Sequence, residues 1–222
     1  MTAIAYNAKY HGREDLAVAL PELQLQAHYG GADLEHAVRD VQRQLHIVED
    51  GCLGPATLRA MWGLTDVPLI PRVRGLDELV AAYGKCWFDS DGKPGLDHAW
   101  SAANIAQVKL SSGIKVSFHK KLSALFSAHY DHAARLSHWC PDTVQTFCFR
   151  RKRTSGGLSE HLSTHSWAIA FDADPSRNRM GWIAKKRSIP YRFALVLWAL
   201  SWQLGMHWDV PDPMHFQAVF GY

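Results

Sequence analysis

The first third of the chain carries a helical pattern of hydrophobic residues. Apolar side chains recur at three- and four-residue spacing at Leu34, Ala37, Val38, Val41 and Leu45. This spacing predicts an amphipathic helix, with Asp33 as its N-cap. The turn-rich stretch 49–55 follows, and a second helix is predicted to begin near Pro55, since proline is tolerated in a first turn.

The pattern changes after residue 66. Residues 67–75 hold two prolines and a glycine and are predicted to be a linker between a unit at 1–66 and a unit at 76–222. The remaining predicted elements are helices at 76–83, 117–134 and 193–204 and strands at 144–149, 167–171 and 214–220. Helices followed by strands, a helix and a strand predict an α+β fold.

Composition narrows the class of protein. Apolar residues make up 47% and charged residues 20% of the 222 residues, which is typical of a globular protein. The net charge of +3 is too small for a typical nucleic-acid binder. We find no run of about 18 apolar residues and no signal peptide, so we expect no membrane association and synthesis in the cytoplasm.

The four cysteines form no CxxC pair. Cysteine ligation of zinc is therefore not expected, and scattered cysteines are typical of reduced thiols. A disulfide between Cys140 and Cys148 stays open at this point.

Two segments supply the residues of an open metal site. Residues 163–172 contain His165 and Asp172, and residues 212–217 contain His215. Catalytic zinc typically takes three nitrogen or oxygen ligands and leaves one position open. Seven residues span about 23 Å as a strand or about 10 Å as a helix, so the chain must bend between His165 and Asp172. We expect His165 on a loop, Asp172 on the following strand and His215 on a neighbouring strand.

A carboxylate and a cation complete the chemistry of hydrolysis. Asp212, fixed between two prolines, would lie beside the reacting water as a general base. One member of the basic run 150–153 could stabilise the negative charge of the intermediate. The pattern alone also permits structural roles, with His165 as a loop residue, Asp172 as a strand-end cap and Asp212 as a turn residue.

The same segments carry a family resemblance. Residues 163–172 resemble the SxHxxGxAxD signature of the VanY-like D-alanyl-D-alanine carboxypeptidase and L-alanyl-D-glutamate endopeptidase family. Asp212 to His215 resembles its second signature, DxxH. The resemblance extends from about residue 117 to residue 222. It implies a Zn²⁺ ion bound by His165, Asp172 and His215, with Asp212 as the general base.

The resemblance also implies roles for residues around the ion. Arg150 matches the arginine that steadies the substrate carbonyl and the oxyanion, while Ser163 and Trp208 would contact substrate. Asp209 is a competing carboxylate, but its spacing from His215 does not match the signature. Ala168 stands where the family usually has glycine, which would strain the loop if that position requires positive φ.

The N-terminal unit has a resemblance of its own. Residues 38–45 and 50–57 are similar to the peptidoglycan-binding type 1 repeat, which pairs a VxxLQxxL helix with a DGxxGxxT turn. The resemblance implies a small helical bundle, with Asp50 and Thr57 of the turn contacting the cell wall. A helical packing or dimerisation domain is the alternative interpretation.

Together the two resemblances imply a monomeric peptidoglycan hydrolase similar to a phage endolysin. A small helical bundle would precede a zinc peptidase domain whose central antiparallel sheet is flanked by helices. We expect cleavage of the L-Ala–D-Glu bond after holin-type release from the cytoplasm. The alternatives are a D-Ala-D-Ala carboxypeptidase of wall recycling, a tail lysin and an inactive wall-binding protein.

Overall fold

The computed structural model describes residues 1–12, 16–24, 30–90, 93–154, 157–183 and 185–222. The helices are α1 Ala3–His11, α2 Leu16–Ala19, α3 Gly31–Gln44, α4 Pro55–Met61, α5 Gly75–Tyr83, α6 His98–Asn104, α7 Lys120–Ser137 and α8 Tyr191–Ala199. Short 3-10 helices lie at Pro21–Leu23, Thr164–Trp167, Pro175–Arg177 and Gly205–His207.

Strands occupy the second part of the chain. They are β1 Val73–Arg74, β2 Trp87–Ser90, β3 Lys93–Leu96, β4 Ile105–Lys109, β5 Lys115–His119, β6 Val144–Gln145, β7 Arg151–Thr154, β8 Gly157–Leu162, β9 Ala170–Ala173, β10 Gln203–Leu204, β11 His215–Gln217 and β12 Val219–Phe220. Helices in the first part and mixed elements in the second confirm the predicted α+β class.

The N-terminal helices begin close to their predicted positions. Helix α4 starts at Pro55, as its sequence predicts. Helix α3 instead has Gly30 as its N-cap, and the Asp33 carboxylate accepts a hydrogen bond from Gly30 N at 2.7 Å. The prediction of Asp33 as the N-cap was wrong because this aspartate acts from the third helical position, where a carboxylate can reach back to the cap.

A hydrophobic cluster joins the N-terminal helices to the rest of the molecule. It contains Leu58 of α4 and Phe193 of α8, and these two helices pack against each other. Residues 67–75 also lie against the second unit. Ile70 is buried, and its N–H donates to Leu200 O at 3.2 Å.

Strand β1, at the end of that stretch, pairs in parallel with β12. The stretch predicted to be a linker is therefore attached to the second unit through both backbone and side chains.

A four-stranded antiparallel sheet forms the floor of the second unit, in the order β10-β11-β9-β6. Helices α7 and α8 pack against each other and supply aromatic side chains to the same core. Phe171 of β9 and Phe216 of β11 stack with their ring centroids 4.8 Å apart. The two central strands are thus fixed by apolar packing next to their polar ends.

Two predicted strands are shorter than expected. The strand predicted at 144–149 ends at Gln145, because the chain then leaves the sheet and Cys148 N donates to His165 O at 3.2 Å. Trp167, predicted to begin a strand, lies instead in the 3-10 helix that carries His165.

Helix α7 begins at Lys120 rather than near Ser117, since residues 115–119 pair with β4. No helix within the described ranges is long and apolar enough to cross a membrane. Cys52, Cys86, Cys140 and Cys148 are free thiols in this structure.

Candidate metal centre and catalytic cleft

Three side chains from separate elements converge beside the antiparallel sheet. His215 of β11 lies directly opposite Asp172 of β9 in the strand register, and His165 comes from the 3-10 helix before β9. Their ligand atoms lie within 4.8 Å of one another. This is the arrangement expected from the sequence, with a bend between His165 and Asp172 and a neighbouring strand for His215.

Ala168 makes the bend between the first two residues of the cluster. It ends the 3-10 helix with φ of 52°, and its carbonyl accepts a hydrogen bond from His119 N at 2.9 Å. A left-handed conformation costs a residue with a Cβ about 1–2 kcal/mol, which explains why glycine is usual at this point of the signature. Ala168 is fully buried, so surrounding packing maintains the strained conformation.

Hydrogen bonds fix which ring nitrogen of each histidine faces the cluster. His165 Nδ1 lies 2.5 Å from Thr146 O, and His215 Nε2 lies 2.9 Å from Gln217 Oε1. Both partners are acceptors, so these nitrogens carry the hydrogens. When the rings are neutral, the lone pairs of His165 Nε2 and His215 Nδ1 therefore point towards Asp172.

Gln217 is itself held in one orientation. Its Nε2 donates to Gln203 Oε1 and to Val219 O, both at 2.8 Å, which leaves its Oε1 for His215 and the Thr164 hydroxyl. The sequence signatures assign no role to Gln217. The available signal was strand alternation, which places residues 215 and 217 on the same face.

The cluster strongly favours positive charge at its centre. Burial alone would raise the pKa of Asp172, but when the rings of His165 and His215 are protonated, their hydrogen bonds and charges hold that pKa well below its usual range. Burial likewise opposes the charged form of His215, yet its hydrogen bond to Asp172 and the charges of Asp172 and Asp212 raise its pKa overall. The point where the three atoms meet thus suits a cation.

The distances fit zinc. His165 Nε2 lies 3.2 Å from Asp172 Oδ1 and 3.2 Å from His215 Nδ1, and the last two atoms are 2.9 Å apart. Two ligands about 2 Å from one tetrahedral ion lie about 3.3 Å from each other. Two neutral imidazoles and one carboxylate are also a usual ligand set for zinc with an open fourth position.

Asp212 lies next to this cluster with an unusual proton affinity. Burial raises its pKa to about 6, against the charge of His215, and its Oδ1 atom is buried without a hydrogen-bond partner among the described residues. The backbone around it is tightly packed. Asp212 N donates to Gly205 O at 2.9 Å, and a Cβ on Gly205 would lie only 2.4 Å from Asp212 O.

A cleft of about 310 Å³ opens onto Asp212 and His215. Its remaining wall is formed by Arg150, Lys152, Arg153, Ser163, Thr164, Met180, Trp208, Met214, Gln217 and Tyr222. The structure thus brings Arg150, Ser163 and Trp208 to the same cleft as Asp212 and His215. The Trp208 ring lies 5.3 Å from the ring of His215, measured between centroids.

The basic run divides between two clefts, and alternation along strand β7 accounts for the separation of Arg151 from Lys152. Arg150, Lys152 and Arg153 line the cleft at Asp212, whereas Arg151 lines a second cleft beside Trp87. The sequence could not make this division, since it depends on where the strand begins and on the irregularity in its register between Arg151 and Arg153.

The two residues predicted to contact the cell wall take part in the structure of their own turn. Asp50 Oδ1 accepts hydrogen bonds from Gln42 Nε2 at 2.7 Å and from Cys52 N at 2.8 Å. Thr57 is buried, and its hydroxyl donates to Cys52 O at 3.1 Å. These bonds assign both side chains to support of the turn, and contact with the wall stays a prediction.

Comparison with known proteins gives one match. Residues 157–218 match a family model described as D-alanyl-D-alanine carboxypeptidase. This span includes the three candidate ligands and Asp212, while Arg150 lies outside it. No curated protein and no solved structure gives a significant match to the chain. The family match supports a metallopeptidase-type enzyme that acts on peptidoglycan.

Proposed function

We propose that this protein is a zinc-dependent peptidase that hydrolyses amide bonds in the peptide stem of peptidoglycan, with the L-Ala–D-Glu bond as its target. One observation carries the proposal. The candidate ligand atoms of His165, Asp172 and His215 converge beside a buried carboxylate oxygen of Asp212 that has no hydrogen-bond partner within the described ranges. A purely structural cluster would not need that second carboxylate at its edge.

The metal ion and Asp212 have different roles in hydrolysis. His165, Asp172 and His215 hold the ion, which when bound supplies Lewis acidity that polarises a carbonyl and makes water nucleophilic near neutral pH. Asp212 takes a proton from the attacking water and delivers it to the leaving amine, so that one amide and one water become a carboxylic acid and an amine. Its raised pKa suits a group that must both accept and release a proton.

Other cleft residues orient the substrate. Arg150 supplies a permanent positive charge for the carbonyl oxygen as that oxygen becomes negative. Ser163 and Trp208 line the same cleft as His215 and contact the peptide. Trp208 offers an apolar ring against which one residue of the stem can pack.

The biological setting of this proposal is lysis by a phage endolysin. A peptidase for the stem and an N-terminal unit with a wall-binding pattern would serve the same polymer, acting as a monomer after release from the cytoplasm. Support comes from the paired sequence resemblances, with the turn at Asp50 and Thr57 as the proposed wall contact.

Removal of a terminal D-alanine is the second candidate, and the description of the matching family model favours it. The two reactions share the same metal site and differ in which bond enters it. An inactive wall-binding protein is disfavoured, because such a protein has no use for Asp212 beside three intact ligands.

Loss of turbidity by permeabilised Gram-negative cells tests the proposal. We expect zinc-loaded protein to clear the suspension, chelation to stop clearing and added zinc to restore it. Asp212→Asn should abolish clearing while the protein still binds zinc, because the general base is lost and the ligands remain. Asp209→Asn is the matched control, since Asp209 is an exposed carboxylate three residues away.

Product analysis on purified peptidoglycan then separates the two reactions. Released stems that begin with D-glutamate establish the endopeptidase, and free alanine establishes the carboxypeptidase. Folded, zinc-loaded protein that gives neither product would contradict the proposed function.

A further inference from the structure

Lys152 places an ammonium group in the cleft that the hydrolytic step does not use. The residue lies on β7, and its Nζ is 3.5 Å from the centroid of the Tyr222 ring. The ring is held in turn, because the Tyr222 hydroxyl donates to Leu162 O at 2.9 Å. The aliphatic part of Lys152 and its charge are thus oriented by a cation–π contact with a fixed aromatic ring.

This positive charge is partly desolvated. Burial lowers the pKa of Lys152 to about 8. Among the residues that the structure describes, no carboxylate forms an ion pair with its ammonium. A cation held in this way suits a ligand anion, since a charge-assisted hydrogen bond would offset the cost of desolvation.

Arg150 and Arg153, the other basic residues of the cleft, differ from Lys152 in assigned role or in exposure to solvent. Arg150 lines the same cleft and has been assigned to the carbonyl oxygen. Arg153 also reaches the cleft but is exposed to solvent, where a charged contact contributes little. Lys152 is therefore the half-buried cation that remains for a second negative group of the substrate.

Both candidate bonds offer such a group at the same position. When D-glutamate continues the stem through its side-chain carboxyl, its α-carboxylate stays free beside the nitrogen of the L-Ala–D-Glu bond. A terminal D-alanine also has a free carboxylate one carbon from the nitrogen of the bond that is cut. In each case the leaving residue carries an α-carboxylate next to the scissile amide.

We propose that Lys152 binds the free α-carboxylate of the leaving residue and thereby restricts cleavage to amide bonds that have such a carboxylate beside them. This inference rests on the proposed function, because it assumes that a peptide stem enters the cleft at Asp212. The metal site acts on the amide bond itself, whereas Lys152 recognises the carboxylate beside that bond.

Two synthetic stem peptides test the inference. Both contain L-Ala-γ-D-Glu followed by a diamino acid, one with the free α-carboxylate of D-glutamate and one with that group as the carboxamide. We expect zinc-loaded protein to prefer the carboxylate peptide by about 10–100-fold in kcat/KM, mainly through KM, because a hydrogen bond between charged groups is lost with the amide.

Substitution of the lysine should remove this preference selectively. With Lys152→Met, the carboxylate peptide should fall to the level of the carboxamide peptide, whose own kcat/KM stays unchanged. Lys152→Arg should retain most of the preference, and Lys109→Met, an exposed lysine on β4, should retain all of it. An equal loss on both peptides with Lys152→Met would show a purely structural role and overturn the inference.

A binding measurement separates this inference from the proposed function. Titration calorimetry with Asp212→Asn compares affinity for the two peptides when hydrolysis is blocked. Tighter binding of the carboxylate peptide that disappears in the Asp212→Asn, Lys152→Met protein supports the subsite even if the wild-type protein cleaves neither peptide. Equal affinity for both peptides overturns the subsite even if the wild-type protein is an active peptidase.

Discussion

His165 and His215 present different ring nitrogens to the same point in space. His215 comes from the strand next to Asp172, so its near nitrogen, Nδ1, reaches the cluster. His165 belongs to a separate turn and reaches the cluster with the far nitrogen, Nε2. In each histidine, the nitrogen that faces the cluster is determined by a hydrogen-bond acceptor on the opposite side of the ring. Removing such an acceptor tests how much it contributes to metal affinity.

Loss of the acceptor behind His215 should weaken zinc binding. Gln217→Leu removes the oxygen that fixes the ring and its tautomer, so we expect zinc affinity to fall by about 10–100-fold. Competition with a chromogenic chelator measures this directly. Gln107→Leu, in the exposed hydrogen bond with Ser117 on the β4–β5 hairpin, is the control and should not change affinity. Unchanged affinity in Gln217→Leu would show that another contact orients His215.

The sequence reveals some residues of the site more readily than others. His165, Asp172, Asp212 and His215 stand out because reactive side chains recur at signature spacing. Lys152 lies on a strand, so its face becomes known only once the bounds of the strand are fixed. The acceptor behind His165 is a backbone carbonyl, and no residue type at position 146 could indicate it.

At the scale of elements, the 3-10 helix Gly205–His207 packs against Asp212, the proposed general base. Gly205 lies against the backbone of Asp212 at a distance that leaves no room for a methyl group. The same Cβ would come within 3.1 Å of His215 Cβ. The short helix and the residues 212–215 must therefore move apart if Gly205 gains a side chain.

Gly205→Ala should impair catalysis more than stability. A displacement of Asp212 by about 1 Å can lower kcat by about 100-fold, because the proton acceptor loses its alignment with the attacking water. Steady-state kinetics on a stem peptide gives kcat, and thermal unfolding verifies that the fold persists. Unchanged kcat would show that the position of Asp212 does not depend on this contact.

Element bounds were predictable where local signals set them. Pro55 marks the start of α4 because proline suits a first helical turn. Non-local pairing decided the elements that were misplaced, such as residues 117–119, which pair with β4 as part of β5 instead of extending α7. Likewise the chain after Gln145 leaves the sheet to support His165, a contact between residues far apart in the sequence.

At the scale of the whole molecule, buried neutral histidines tie distant parts of the chain together. His129 of α7 contacts Pro68 O through Nε2 at 2.8 Å and accepts a hydrogen bond from Trp202 Nε1 at 3.0 Å. His11 of α1 contacts Leu53 O at 2.8 Å. Burial lowers the pKa of His11, His119 and His129 to about 4 in each case.

These histidines should make the fold sensitive to mild acid. Below about pH 6.5 the unfolded chain takes up protons that the folded protein accepts only near pH 4, so stability is full above pH 6.5 and is lost as the pH falls towards 4. At pH 5 each of these histidines lowers the free energy of unfolding by about 2 kcal/mol relative to its value above pH 6.5. Urea unfolding at pH 7 and pH 5, with chelator present throughout, measures the difference.

A control separates the buried rings from histidines in general. His36→Gln, at an exposed position of α3, should leave the difference between the two pH values unchanged. Equal stability of the wild-type protein at pH 7 and pH 5 would contradict the prediction.

The packing of residues 67–75 has a consequence for how the protein would work on a solid substrate. A free nine-residue tether would let the active site sample a sphere with a root-mean-square radius of about 16 Å around a bound anchor. Ile70 and β1 remove that freedom. An N-terminal unit bound to the wall would therefore confine cleavage to bonds at one fixed distance from each binding site. Each further cleavage would then require the N-terminal unit to dissociate from the wall. Dissociation would therefore limit the rate of degradation, and tighter binding to the wall would slow it.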